Sequence, residues 1–136
     1  MDFLERLTDR VNLIPNLPRN CEMGFLDVGE SFVVYPLPGS RVIREYMDGV
    51  KEQQLNFEFA MRSQSQPSIN RTLWLVQNEL ENLNDIPSGN ESFEFIDLII
   101  TNKPYINQAD DRGFFVFLLD IQAKITVFRE EKTNEK

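Results

Sequence analysis

The 136 residues include no histidine and a single cysteine. Without histidine, Ser-His and Cys-His nucleophile pairs and His-ligated metals are excluded, and most hydrolase templates go with them. Cys21 has no partner for an internal disulfide. A zinc site would need carboxylates and one thiolate, so no structural metal is expected. The one local cation that could activate Cys21 is Arg19, and a small, semi-buried thiol is the simpler reading.

Glycine is also scarce. The six glycines, at positions 24, 29, 39, 49, 89 and 113, are isolated turn markers, and none belongs to a loop that would cradle a phosphate. No nucleotide or other cofactor is expected. No stretch approaches the length of apolar chain that crosses a membrane, and MDFLERLTDR at the start is amphipathic and charged, so a cytosolic chain with no membrane partner is expected. Cations are outnumbered, 14 Lys and Arg against 22 Asp and Glu, for a net charge of −8. Phosphate backbones are bound through Lys and Arg, so this balance argues against direct or sequence-specific nucleic-acid binding. It would suit the wall of a passage through which DNA slides without being gripped.

What is present is core material: 41% hydrophobic residues, with 11 Phe. That is enough for one domain, expected over residues 1–130 and followed by a charged flexible tail at 131–136. The stretch GFFVFLLDIQAKITVFR at 113–129 reads as one β-strand. Phe115, Phe117, Leu119, Ile121, Ala123, Ile125 and Val127 alternate onto one side, while Asp120, Gln122, Lys124 and Thr126 take the other. Phe114, Val116 and Leu118 make the first half apolar on both faces, which predicts cover on both. A strand of this length, roughly 50 Å, must bend or project past so small a core.

Phe3, Leu4, Leu7, Val11 and Ile14 form the stripe of a helix over 2–14, with capping-box spacing from Asp2 to Glu5 and with Pro15 and Pro18 beyond it. SFVVYPL and SRVIREYM read as strands. Asp48-Gly49 predicts a two-residue type I′ hairpin into a strand carrying Leu55, Phe57, Phe59 and Met61 on one face. Ile69, Leu73, Val76, Leu80 and Leu83 make a second helix, opened by Ser65 or Gln66 before Pro67 and stopped by Pro87 and Gly89. SFEFIDLIITNKP at 92–104 is a further strand, with Ile96, Leu98 and Ile100 on one face, and YINQADDRG connects it to the long strand. The order predicts an α+β fold: an antiparallel sheet of four to five strands with two helices packed on one face.

Candidate chemistry is sparse. Asp110 and Asp111 suggest a cation site only weakly, since neighbours on a strand face opposite ways and no EF-hand pattern surrounds them; a solvated hairpin tip is the plainer reading. Glu79 and Glu81 lie on different sides of the second helix and read as solubilising surface. Trp74, between Leu73 and Leu75, reads first as core and second as an interface anchor. The apolar surface exceeds what one sheet and two helices can bury, and neighbouring copies of the chain are the simplest cover.

The succession PGSRVIREYMDGVKEQQLNFEF, SINRTLWLVQNELENL, IPSGNESFEFIDLIITNKPYI and DRGFFVFLLDIQAKITVF, covering roughly residues 30–129 with Phe93, Asn102 and Pro104 as landmarks, resembles the small minor capsid or tail terminator proteins of long-tailed bacteriophages. The resemblance implies a non-enzymatic virion protein of the tail or neck, assembled in the host cytoplasm. It further implies a homo-oligomeric ring, commonly a hexamer, that caps the tail tube, stops its growth and joins the head connector or completion protein, with DNA passing through. On that picture the long strand and the 103–112 connection reach a neighbouring subunit or the tube. The residues themselves offer Tyr105, Asp110, Asp111 and Arg112 in the hairpin loop, with Trp74, as interaction candidates.

Two other readings compete. A small-molecule-binding or enzymatic α+β domain predicts an enclosed pocket with converging polar groups, behind Phe57, Phe59 and Phe117. An acidic inhibitor-type protein predicts salt-sensitive binding to a basic partner.

Overall fold

In the computed structural model, which describes residues 2–128, the chain forms α1 (Phe3–Asn12), β1 (Glu22–Met23), β2 (Ser31–Pro36), β3 (Arg41–Glu45), β4 (Lys51–Ser63), α2 (Gln66–Glu81), β5 (Phe93–Ala109) and β6 (Phe115–Val127). The fold is α+β, and both helices pack on one face of the sheet. The sheet has six strands rather than four or five, and it is mixed because the short β1 runs parallel to β2. The strand order is β1-β2-β4-β6-β5, and β3 pairs with β4 on the same side as β2. The tail expected at 131–136 lies outside the described residues.

The long strand is internal. β6 pairs with β4 from Phe115 to Val127 on one side and with β5 on the other, so its length is satisfied within the subunit rather than by projection. Alternation holds along it as the sequence indicates. Leu119, Ile121, Ala123 and Ile125 meet Leu55, Phe57, Phe59 and Met61 of β4 under Phe3, Leu7 and Val11 of α1 and Ile69, Leu73, Val76 and Leu80 of α2. Phe57 and Phe59 fill this core. Phe3 anchors α1 over the far end of the ladder, with its ring centroid 5.6 Å from that of Phe57 and 5.3 Å from that of Phe93.

The opposite, outer face of the sheet is partly covered by the chain itself. Val33, Ala60, Val116 and Leu118 form a second small cluster beneath Leu26 and Tyr35. The guanidinium of Arg62 sits 4.2 Å from the Phe114 ring centroid. The first half of β6 is therefore covered on both faces within the subunit, on the outer side by Leu26 of the 24–30 loop, Tyr35 of β2 and Arg62.

Several terminal signals resolve differently from expectation. Asp2 stands at the N-cap of α1, but its carboxylate makes no capping bond. It accepts instead from Ser88 Oγ at 2.8 Å, the Gly89 N–H at 2.8 Å and Ser92 Oγ at 3.3 Å, tying the helix start to the turn before β5. α2 opens on Ser65, whose Oγ accepts from the Ser68 N–H at 3.2 Å. It ends at Glu81, well ahead of Pro87. The β3–β4 turn closes through Tyr46 N–H to Val50 C=O and Gly49 N–H to Tyr46 C=O. Of Asp48 and Gly49 only the glycine has positive φ, at 90°. The connection is thus a three-residue loop, a type I turn followed by a glycine bulge, rather than a type I′ pair. The β5–β6 hairpin repeats it, with Asp110 N–H to Phe114 C=O, Gly113 N–H to Asp110 C=O and φ of 86° at Gly113.

β5 departs furthest from expectation. It continues through the predicted 103–112 connection to Ala109, so its 17 residues face 13 on β6. The four extra residues are absorbed at four register shifts, between Phe95 and Asp97, Ile100 and Asn102, Asn102 and Tyr105, and Ile106 and Gln108. An edge strand accommodates such bulges, and also Pro104, because its outer N–H groups owe no ladder bond. Each bulge resets the alternation. Leu98 and Ile100 turn into the helix-side core while Ile96 is exposed, so the three do not share a face as the spacing suggests.

Candidate interaction surface

Trp74 is the first site residue that the structure moves. It is 60% exposed. The core reading is overturned: along α2 its neighbours one turn away are Asn70 and Asn78, both exposed, so it interrupts a polar stripe while Leu73 and Val76 are buried. Helical spacing carried that signal, and adjacency to Leu73 and Leu75 hid it. Glu79, read as free surface, forms an ion pair with Arg10 and links the helices.

Asp110, Asp111 and Arg112 do lie together at the tip of the β5–β6 hairpin, but the tip is fastened. Asp110 Oδ2 accepts from Arg62 Nη2 at 3.1 Å, and its Oδ1 accepts the N–H groups of Arg112 and Phe114, each at 3.0 Å. Those backbone donors, Phe114 foremost, and the Arg62 charge outweigh desolvation and hold the carboxyl below its usual pKa. Gln64 Nε2 donates to the Arg112 carbonyl at 2.9 Å. Glu30 completes the anchorage by accepting from the Gln64 N–H and Ser63 Oγ, which lower its pKa. Arg62 Nε also donates to the Val28 carbonyl, so one side chain joins the hairpin tip to the 24–30 loop. Asp111 and Arg112 are exposed.

Tyr105 is not in the loop. It sits within β5 opposite Leu118, on the outer face. Its hydroxyl donates to Asp120 Oδ2 at 3.1 Å, with Glu58 Oε2 at 3.5 Å. Asn102 Nδ2 donates to the same Asp120 oxygen at 2.8 Å, and the Tyr35 hydroxyl donates to Glu58 Oε1 at 2.5 Å. Burial and the neighbouring Asp120 push the Tyr105 phenol up to about 12, and burial and Glu58 raise Tyr35 as well. This cluster escaped sequence reasoning because it needs the β4–β6 register, in which Glu58 stands directly opposite Asp120. Cys21 is buried, and desolvation followed by the charge of Glu22 pushes its thiol up to about 12, which leaves it unreactive.

Apart from Met23 on the short β1, two groups of exposed apolar side chains fall at the two sides of the sheet. Val42, Ile43, Tyr46 and Met47 are exposed on β3 and its turn, and Ile96, Ile99 and Ile106 on β5. Between them run only β4 and β6, so the two groups occupy opposite edges of one ladder. Among the described residues no helix is long and apolar enough to cross a membrane.

A comparison with curated proteins finds no match. A family model described as bacteriophage tail terminator protein matches residues 5–127, which takes in every strand, both hairpins and nearly all of α1. The chain belongs to the bacteriophage tail terminator protein family and is a structural component of a phage tail.

Proposed function

We propose that this subunit ends growth of the tail tube by closing into a homo-oligomeric ring, commonly of six copies, that caps the tube and offers the head connector or completion protein its joining surface. The observation that carries this reading is the pair of unlike apolar edges: Val42, Ile43, Tyr46 and Met47 on one side, Ile96, Ile99 and Ile106 on the other. Two different sticky edges on opposite sides favour head-to-tail association, and head-to-tail contacts end in a ring where the rotation closes. A two-fold dimer would instead need one edge that complements itself. Trp74 and the exposed tip residues Asp111 and Arg112 remain free to meet the tube or the connector. Asp110 serves to hold the tip in shape, and Tyr105 belongs to the outer-face cluster. The net charge of −8 suits a lumen that DNA crosses without adhering.

The test uses two variants, Val42→Asp with Ile43→Asp, and Ile96→Asp with Ile99→Asp, followed by light scattering alone and mixed, with and without tail tubes. Each variant alone is expected to remain monomeric where the wild type forms rings. Their mixture is expected to stop at a dimer, because each supplies one intact edge. Full-sized oligomers from either variant alone would overturn the ring reading.

A further inference from the structure

Glu58 and Asp120 face each other directly across β4 and β6 on the outer face, with 8% and 6% of their surface exposed. The ion pairs of the described residues involve neither of them. Two buried carboxylates this close, uncompensated by a cation, repel strongly, and one of them is expected to stay neutral.

Counting donors identifies what is missing. The groups facing the pair are Tyr35 from β2, and Asn102 and Tyr105 from β5. On the pair's own strands, Asn56 and Ala60 flank Glu58, and Leu118 and Gln122 flank Asp120. The nearest guanidinium along β4, that of Arg62, is engaged by Asp110. The Tyr35 proton goes to Glu58 Oε1, the Asn102 amide and the Tyr105 proton go to Asp120 Oδ2, and the buried Asp120 Oδ1 has no partner. Tyr105 has one proton and cannot serve both carboxylates. A carboxylate oxygen shut away from water without a donor is costly, so a further proton belongs here.

We propose that Glu58 and Asp120 form a proton-binding site, in which Glu58 is a neutral acid that donates to Asp120 and holds the outer sheet face closed. The same direction follows from the environment of Glu58: burial first, then its contact with Asp120, raise its pKa to about 7, against the lowering effect of the Tyr35 and Tyr105 hydroxyls. Loss of the proton places two negative charges on adjacent strands at the centre of the ladder. The two carboxylates are then driven apart, and water reaches the buried ladder position between them. This site is independent of the ring reading, since it is complete within one subunit.

The sign follows from linkage. A carboxyl with a raised folded pKa contributes stability that is present below its unfolded value and is lost as pH rises through the folded value. Thermal midpoints of the full chain are therefore expected to fall from about pH 5 to about pH 8, by roughly 5 °C. Glu58→Gln retains a donor toward Asp120 Oδ1 and should flatten that slope. The direct readout is carboxyl-carbon NMR over the same range. The Glu58 carbon is expected to titrate near 7, apart from the surface carboxylates, and to move toward the ordinary range in Asp120→Asn. A Glu58 carbon that titrates with the surface carboxylates would overturn the site. So would a midpoint that does not move at all in Asp120→Asn, because burial alone would then explain the raised value. The NMR titration needs only the wild type and Asp120→Asn, so it decides the matter even if Glu58→Gln does not fold.

Discussion

Arg62 and Asp110, 48 residues apart in sequence, meet at 3.1 Å and fix the β5–β6 hairpin tip against β4. Exposed ion pairs contribute little, but Arg62 also lies on the Phe114 ring and donates to the Val28 carbonyl. Arg62→Ala removes all three contacts at once. The thermal midpoint is expected to drop by roughly 3–6 °C, with faster amide exchange concentrated at 110–114 and 26–30. Exchange unchanged at both segments would mean that the turn and loop hold themselves.

Gly113 has φ of 86° with nothing nearer than 4.0 Å to the position of an added Cβ. Any cost of substitution there is therefore one of backbone conformation rather than of crowding. Gly113→Ala should lose about 1 kcal/mol, and Gly113→Asn clearly less, because asparagine tolerates the left-handed region. Chemical denaturation of the pair measures the difference, and equal losses would contradict the bulge-turn account.

Phe3 holds α1 to the sheet through Phe57 and Phe93 and is fully buried. Phe3→Ala is expected to cost about 3–5 kcal/mol in denaturant unfolding. The loss should leave the helix-side core under α2 formed, so tryptophan-free probes on Leu73 and Val76 should report less change than probes on Phe93.

These elements also show how far the sequence could be read. Period-two alternation placed β4 and β6 correctly because both are central strands whose shared ladder runs without a register shift. It failed on β5, where four bulges reset the period and carried the strand through the stretch read as a loop. Tyr105 was misplaced for that reason. Trp74 was legible from its spacing to Asn70 and Asn78 and was obscured by its apolar sequence neighbours. The partnership of Glu58 with Asp120 was not legible, since each is an ordinary polar-face residue until register pairs them. Asp2 likewise had the spacing of a cap but found stronger donors 86 and 87 residues away.

Trp74 itself gives a test of surface against core. Its ring leaves the helix-side core intact when removed, so Trp74→Ala is expected to shift the thermal midpoint by less than about 2 °C. If it anchors a partner, binding to tail tubes or to the connector should fall at least tenfold, as buried aromatic anchors commonly do. Sedimentation with tubes and with connector separately would identify which partner it meets, and unchanged binding to both would remove it from the interface.

The acid side of the stability profile rests on Asp2, Glu30 and Asp110, whose carboxyls all lie below their ordinary values of 3.8, 4.5 and 3.8. For Asp2, burial works against the charge, but the Ser88 hydroxyl, the Gly89 N–H and the Ser92 hydroxyl outweigh it. A depressed folded pKa contributes stability that is present above the unfolded value and is lost as pH falls through the folded one. Thermal midpoints should therefore fall between about pH 5 and about pH 2.5. Asp2→Asn, which cannot gain from ionisation, should begin lower at about pH 5 and fall less steeply, its curve converging with the wild type near the acid end. Parallel curves across the whole range would show that the Asp2 charge does not contribute, and that its hydrogen bonds to the turn before β5 act through geometry alone.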